Sequence, residues 1–198
     1  MTPDADNGQR LEASRQAAIE RSDAFLAALP PELNALDDQI EAVLGRENAS
    51  PKSKLGKVYR LADAAAAAAE PYVACRKGCS ACCKMNVSIS SLEAERLAVM
   101  SGRKVQTLQQ PINHEEGRFA GVPCPFLSED VCSVYDVRPY ACRVHFSFDQ
   151  DSYWCQPERA YVADMRMVQL GRAGAAYTAI ALKTKLGGFA DIRDFFPS

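Results

Sequence analysis

Histidine is almost missing from this chain, with two in 198 residues, and tryptophan occurs once. So little imidazole leaves few general bases and no histidine-rich metal site. Long apolar runs are missing too. The longest, residues 64–69, is all alanine, far below the ~18 residues that suggest a membrane span. Charge of one sign is also missing: 23 Lys+Arg face 25 Asp+Glu, a net of −2. That balance excludes the basic footprint of a dedicated nucleic-acid binder. Residues 1–10 (MTPDADNGQR) carry no basic or apolar segment of a secretory signal, so a cytoplasmic location is expected. What is present in excess is sulfur. Eight cysteines make about 4% of the chain, below the ~8% of a disulfide scaffold. In a reducing cytosol, clustered thiols point to metal ligands or redox groups before disulfides.

All eight cysteines lie between Cys75 and Cys155, and the flanks read as helices. Leu11, Ala18, Phe25 and Leu29 recur at helical spacing until Pro30-Pro31 stops the run. Pro31 suits the first turn of a second helix, with Leu33, Leu36, Ile40, Val43 and Leu44 on one face and Gly45 just past its end. A third, alanine-rich helix is expected over about 53–70, ended by Pro71. In the middle, Ser90-x-x-Glu93 followed by an apolar run and Gly102 predicts a short capped helix. Val87–Ile89 and Val131–Val134 look extended but too short for a sheet, and 103–123 reads as loop. From Pro157 a long helix is expected to about Leu186, closed by Gly187-Gly188, with Gly171 and Gly174 marking a close helix crossing. The expected fold is mainly α: a helical scaffold packed around an irregular cysteine-rich metal-binding core. Its divisions are residues 1–71 (helical), 72–156 (cysteine cluster) and 157–198 (C-terminal helix), in one compact domain.

The first cluster is Cys75-x3-Cys79-x2-Cys82-Cys83. On a helix these offsets share one face within an arc of roughly 100°. If Gly78 breaks the helix, Cys79-x2-Cys82 still forms a chelating turn. The second cluster is Cys124, Cys132, Cys142 and Cys155, with Pro123 and Pro125 bracketing Cys124. Ionised thiols crowded together repel unless a cation holds them, and both zinc and iron–sulfur clusters take four thiolates. Four thiolates on Zn²⁺ or a [4Fe–4S]²⁺ core leave −2. The guanidiniums of Arg138 and Arg143, in R-P-Y-A-C-R, are candidates to bind around that charge. Surface ion pairs with Asp136 or Asp149 are their alternative role.

These strings carry a resemblance. Cys75-Arg-Lys-Gly-Cys79-Ser-Ala-Cys82-Cys83, Val87-Ser-Ile89 and Glu93-Ala-Glu-Arg96-Leu97 resemble the YkgJ-type cysteine-cluster family. So do Cys124-Pro-Phe-Leu127, Cys132-Ser-Val-Tyr135, Arg138-Pro139 and Cys142-Arg143. The resemblance spans roughly 72–155 and implies a zinc- or iron-chelating protein. Through the same cysteine pattern it extends distantly to flagellin lysine N-methylases, which implies an iron–sulfur cluster and methyl transfer from S-adenosylmethionine as an alternative. No G-x-G fingerprint after a strand supports a nucleotide site.

Of the two histidines, His145 lies three residues after Cys142 and is either a ligand, a hydrogen-bonding neighbour or a packed imidazole; His114 reads as solvated. Ser147 and Ser152 have no evident base partner, and Tyr135, Tyr140, Tyr153 and Trp154 are expected to keep water from the second cluster. The expected function is a cytosolic metal-binding protein holding an iron–sulfur cluster or zinc through Cys thiolates, the balance leaning to iron–sulfur. Its expected partner is the metal ion or cluster, with no membrane or nucleic acid. A structural-zinc interaction module is the further alternative.

Overall fold

The computed structural model describes residues 3–161, 165–184 and 188–197. Three long helices open the chain: α1 (Pro3–Ala28), α2 (Pro31–Arg46) and α3 (Pro51–Ala69). Proline stands in the first turn of α2 and α3, where a missing N–H costs nothing. Ser50 caps α3 by accepting from the Ser53 amide at 3.2 Å. Gly45 lies inside α2 rather than beyond it, because the helix closes one residue later, where the Glu47 amide still reaches Val43. A 3-10 turn, Glu70–Tyr72, then leads into the first cysteine.

α4 (Ser91–Ser101) is bounded as its sequence requires. Ser90 and Glu93 form the capping box, and Gly102 ends the helix at φ +71°. Short elements follow: a hairpin of β2 (Leu127–Ser128) and β3 (Val131–Cys132), then α5 (Tyr140–Val144). Before α4, β1 (Ser88–Ser90) pairs antiparallel with β4 (Phe189–Asp191), so Ser88 and Ile89 of the expected extended segment do enter a small sheet, through a partner a hundred residues away. α7 (Ile192–Phe195) is the last helix of the described chain.

The long helix expected from Pro157 is not formed. Residues 162–164 and 185–187 lie outside the described residues; 157–161 are turns, and the helix there is α6 (Gly171–Leu182). The reason is a competing ladder. The Phe148 amide donates to Arg166 and the Val168 amide to Phe146, which buries Phe146, Phe148 and Val168 together. Of the two helix glycines, Gly174 makes the close approach: a Cβ there would sit 3.6 Å from the Tyr140 hydroxyl.

Three apolar clusters result. Ile40, Leu44, Val58, Leu61 and Ile180 join α2, α3 and α6. Ala18, Phe25, Val73, Phe146 and Phe148 join α1 to the ladder. Ile89, Leu97, Phe126, Ile192 and Phe195 form the third, against which Cys83, Cys124, Cys132 and Cys142 pack. Among the described residues no helix is long and apolar enough to cross a membrane.

Candidate metal centre

Gly78, at φ +97°, interrupts the chain between Cys75 and Cys79, so the one-face helix is not realised. A 3-10 turn, Ala81–Lys84, carries Cys82 and Cys83 instead. The second cluster arrives on three supports: Cys124 between its prolines, Cys132 on β3 and Cys142 on α5. The two clusters are tied through the backbone, where the Cys124 amide donates to the Cys83 carbonyl at 2.7 Å and Gly121 to Lys84 at 2.9 Å.

The result is a mostly apolar cavity of about 100 Å³. Cys79, Cys82, Cys83, Cys124, Cys132 and Cys142 line it, together with His145, Tyr135 and Arg138. Cys75 and Cys155 stand outside it, near each other and near Asp149, whose charge both thiols feel. All eight are free thiols.

Burial pushes the thiols of Cys75, Cys132 and Cys142 up, that of Cys124 to about 11 and that of Cys155 to about 12. Cys82 and Cys83 share a hydrogen bond that splits them, raising Cys82 and lowering Cys83 to about 7, with Arg193 and Lys84 helping on the Cys83 side. Opposing burial, backbone amides donate to sulfur: Phe126 to Cys124, Val134 to Cys132 and Ser147 to Cys75. At Cys124 and Cys132 the donor is the second residue onward, a local turn that favours the thiolate. The cavity also receives the buried Nε2 of His145, which has no hydrogen-bond partner among the described residues.

Among the described residues, no three His, Cys, Asp or Glu side chains stand together as a finished coordination shell. The donor chemistry nonetheless fits a thiophilic cation: six sulfurs and one partnerless imidazole around a single cavity, with amides aimed at sulfur. A bound cation deprotonates a coordinating thiol outright, which offsets the desolvation that otherwise keeps these groups neutral.

The arginines divide. Arg138 lines the cavity, with its guanidinium 4.1 Å from the Tyr135 ring centroid, and its charge lowers the Cys132 thiol. Arg143 turns away. It pairs with Asp63 on α3 and donates to the carbonyls of Arg138 and Asp136, so neither the Asp136 carboxylate nor Asp149 is its partner. His114 is not solvated as expected; its Nε2 lies 2.9 Å from an Asp194 carboxylate oxygen, against the Phe119 ring. Of the four aromatics, only Tyr135 lines the cavity. Tyr140 stacks on Tyr177, and Trp154 is buried elsewhere.

Two residues have long-range roles at the site that no sequence pattern signals. Arg193, buried on α7, donates to the carbonyls of Cys83, Met85, Val122 and Pro123, clamping both cysteine segments. The only sequence signal is the Asp191-x-x-Asp194 box that starts α7. Glu93 is the other. Its carboxylate is fully buried and accepts from Tyr59, Tyr177, Ser90 and the Tyr140 amide, which fixes the start of the helix carrying Cys142. The capping-box pattern signals only its local bonds.

Residues 74–159 match the CxxCxxCC family model, described as a "putative zinc- or iron-chelating domain". This segment is therefore similar to the cysteine-cluster family to which the spacing and motifs pointed. The match takes in all eight cysteines and leaves α1–α3, α6 and α7 outside it. No curated protein and no solved structure matches the chain.

Proposed function

We propose that the domain is a cytosolic metal-binding module whose cysteines hold an iron–sulfur cluster or zinc, with iron–sulfur as the favoured form. The carrying observation is the cavity that draws six thiols and a partnerless imidazole from both clusters. The family's chelating description supports the same reading. Arg138, at the cavity wall, offsets the negative charge that several thiolates leave on any such centre. Thiols supplied by chain segments far apart suit a polynuclear cluster, and the mostly apolar lining would shield it from water.

A second reading, an enzyme of the methyltransferase type, has one observation in its favour. Cys79 also borders a polar cavity of about 560 Å³ whose walls include Arg21, Arg76 and Lys84. That space beside the thiols could admit an anionic substrate.

Protein purified without oxygen separates the forms. An iron–sulfur centre makes it brown, with acid-labile sulfide and absorbance that bleaches with dithionite. Zinc is d¹⁰ and redox-silent, so colourless protein with stoichiometric zinc replaces the favoured form by a structural module. The enzyme reading further requires S-adenosylmethionine to bind and a methylated product to appear.

A further inference from the structure

We propose that the chain carries a second binding site, separate from the thiol-lined cavity, for an organic amine with an apolar body. The site is a cavity of about 590 Å³ between α1 and the segment from Phe148 to Leu170, with parts of α2 and α3 completing its wall. Ligand pockets commonly enclose about 300–1,000 Å³. It shares no lining residue with the thiol-lined cavity. Much of its wall, from α1 to α3 and residues 165–170, lies outside the matched segment 74–159.

The first observation is a buried charge. Asp149 lines this cavity, is 5% exposed, and accepts from the hydroxyls of Ser14 at 3.1 Å and Ser147 at 2.5 Å. Among the described residues no cation pairs with it; Arg10 goes to Asp151 and Arg166 to Asp23. Burying a carboxylate without a counter-charge is costly. Each carboxylate oxygen has more than one lone pair, so both can still accept from a ligand N–H.

The second observation is the wall around that charge. Phe25, Phe148 and Trp154 line it, with Leu11, Leu29 and Met167. Aromatic faces attract ammonium and guanidinium groups, and the aliphatic side chains suit a hydrocarbon body. An amine needs one acceptor and such faces, whereas a metal ion needs several donors converging on one point.

The third observation is that the other charges of the wall are engaged. Arg15 lies 4.0 Å from Glu12 and Arg166 3.9 Å from Asp23, and both arginines are half-exposed. Asp37 accepts from the Arg172 and Ala173 amides that open α6. That leaves Asp149, among the described residues, as the wall charge answered by neither an ion nor a helix terminus. A cavity with that charge selects a cation.

Trp154, the chain's single tryptophan, stands in the wall and reports occupancy through its fluorescence. Wild-type protein titrated with phenylbutylamine should give a saturable change. Phenylbutanol and phenylbutanoate, with the same body and a neutral or anionic head, should bind at least about 10-fold more weakly for want of the charge-assisted bond. Asp149→Asn should bring the amine down to the level of the alcohol. Equal binding of the three probes by wild-type protein, or no saturable signal with any of them, overturns the proposal. So does an Asp149→Asn protein that folds and still prefers the amine. If that variant fails to fold, the three-probe comparison on wild-type protein decides alone.

Discussion

The helical half and the cysteine half of this molecule are stabilised by different means. α2, α3 and α6 interlock through Leu44, Leu55, Val58, Ala62, Ala176 and Ile180, aliphatic side chains on regular elements, with Leu92 and Tyr140 joining from α4 and α5. Between Val73 and Tyr140, apart from β1 and α4, regular structure amounts to 3-10 turns and a hairpin with two-residue strands. What joins those loops is the apolar cluster of Ile89, Phe126, Val134 and Ile192, a few backbone bonds, the carbonyl clamp of Arg193, and thiols around a cavity. Apolar burial contributes about 25 cal/mol per Å² whatever its partner. Thiols clustered in a cavity contribute as a group only when a cation binds them. The first half carries its stability within its sequence, whereas the proposed function has the second draw part of its stability from a bound cation.

Removing a ligand should break the comparison most strongly. Structural zinc sites supply roughly 10–16 kcal/mol of apparent binding energy, comparable to the stability of a whole domain. Cys142→Ser, in the wall of the thiol-lined cavity, should therefore abolish metal retention there and the cooperative melting of the cysteine half, read by metal analysis and calorimetry. Leu55→Ala should do the reverse. It should cost about 2–5 kcal/mol by denaturant titration, with metal content per folded chain unchanged. Glu93→Gln joins the halves, since this carboxylate receives Tyr59 from α3, Tyr177 from α6 and the amide that starts α5. A loss of about 2–3 kcal/mol is expected, together with weaker metal retention. Full stability would show that the network does not couple the halves.

The smaller effects sharpen it. Arg193→Ala should lower metal affinity by about 10–100-fold in a competition titration, because both cysteine segments lose their clamp. Arg138→Ala should act in the same direction. Arg143→Ala should lower the melting temperature more than the affinity, because its partner is Asp63. In metal-free protein, Cys83 should be the first thiol alkylated. With its thiol lowered to about 7, its rate should rise through neutral pH, while Cys124 and Cys155, raised to about 11 and 12, stay slow. Peptide mapping at pH 7 reads that order, and uniform labelling would contradict it.

Legibility in the sequence follows the same divide. α2, α3 and α4 were readable because proline, serine caps, apolar period and Gly102 are local signals. The break at Gly78 was one of two readings of the first cluster, and φ +97° selects it. The missing C-terminal helix was not readable, because Phe146 and Phe148 capture residues 166–168 from twenty positions away. β4 escaped for the same reason: it exists only as the partner of β1. At the candidate site, the cysteines announced themselves by spacing. Arg193 and the long-range bonds of Glu93 did not, since a buried charge is defined by what surrounds it and no local pattern encodes those neighbours. Arg143 shows the opposite failure. Its place beside Cys142 suggested a role at the thiols, but one residue further along α5 turns the side chain toward α3.

The most direct test of a metal-dependent cysteine half is amide hydrogen exchange on anaerobically purified protein before and after chelation. On metal removal, residues 74–87 and 119–145 should lose protection by at least 100-fold, while Leu55–Ala65 and Ala173–Ile180 in the helical core keep theirs to within about threefold. Equal protection with and without metal, or uniform loss across both halves, would contradict the account.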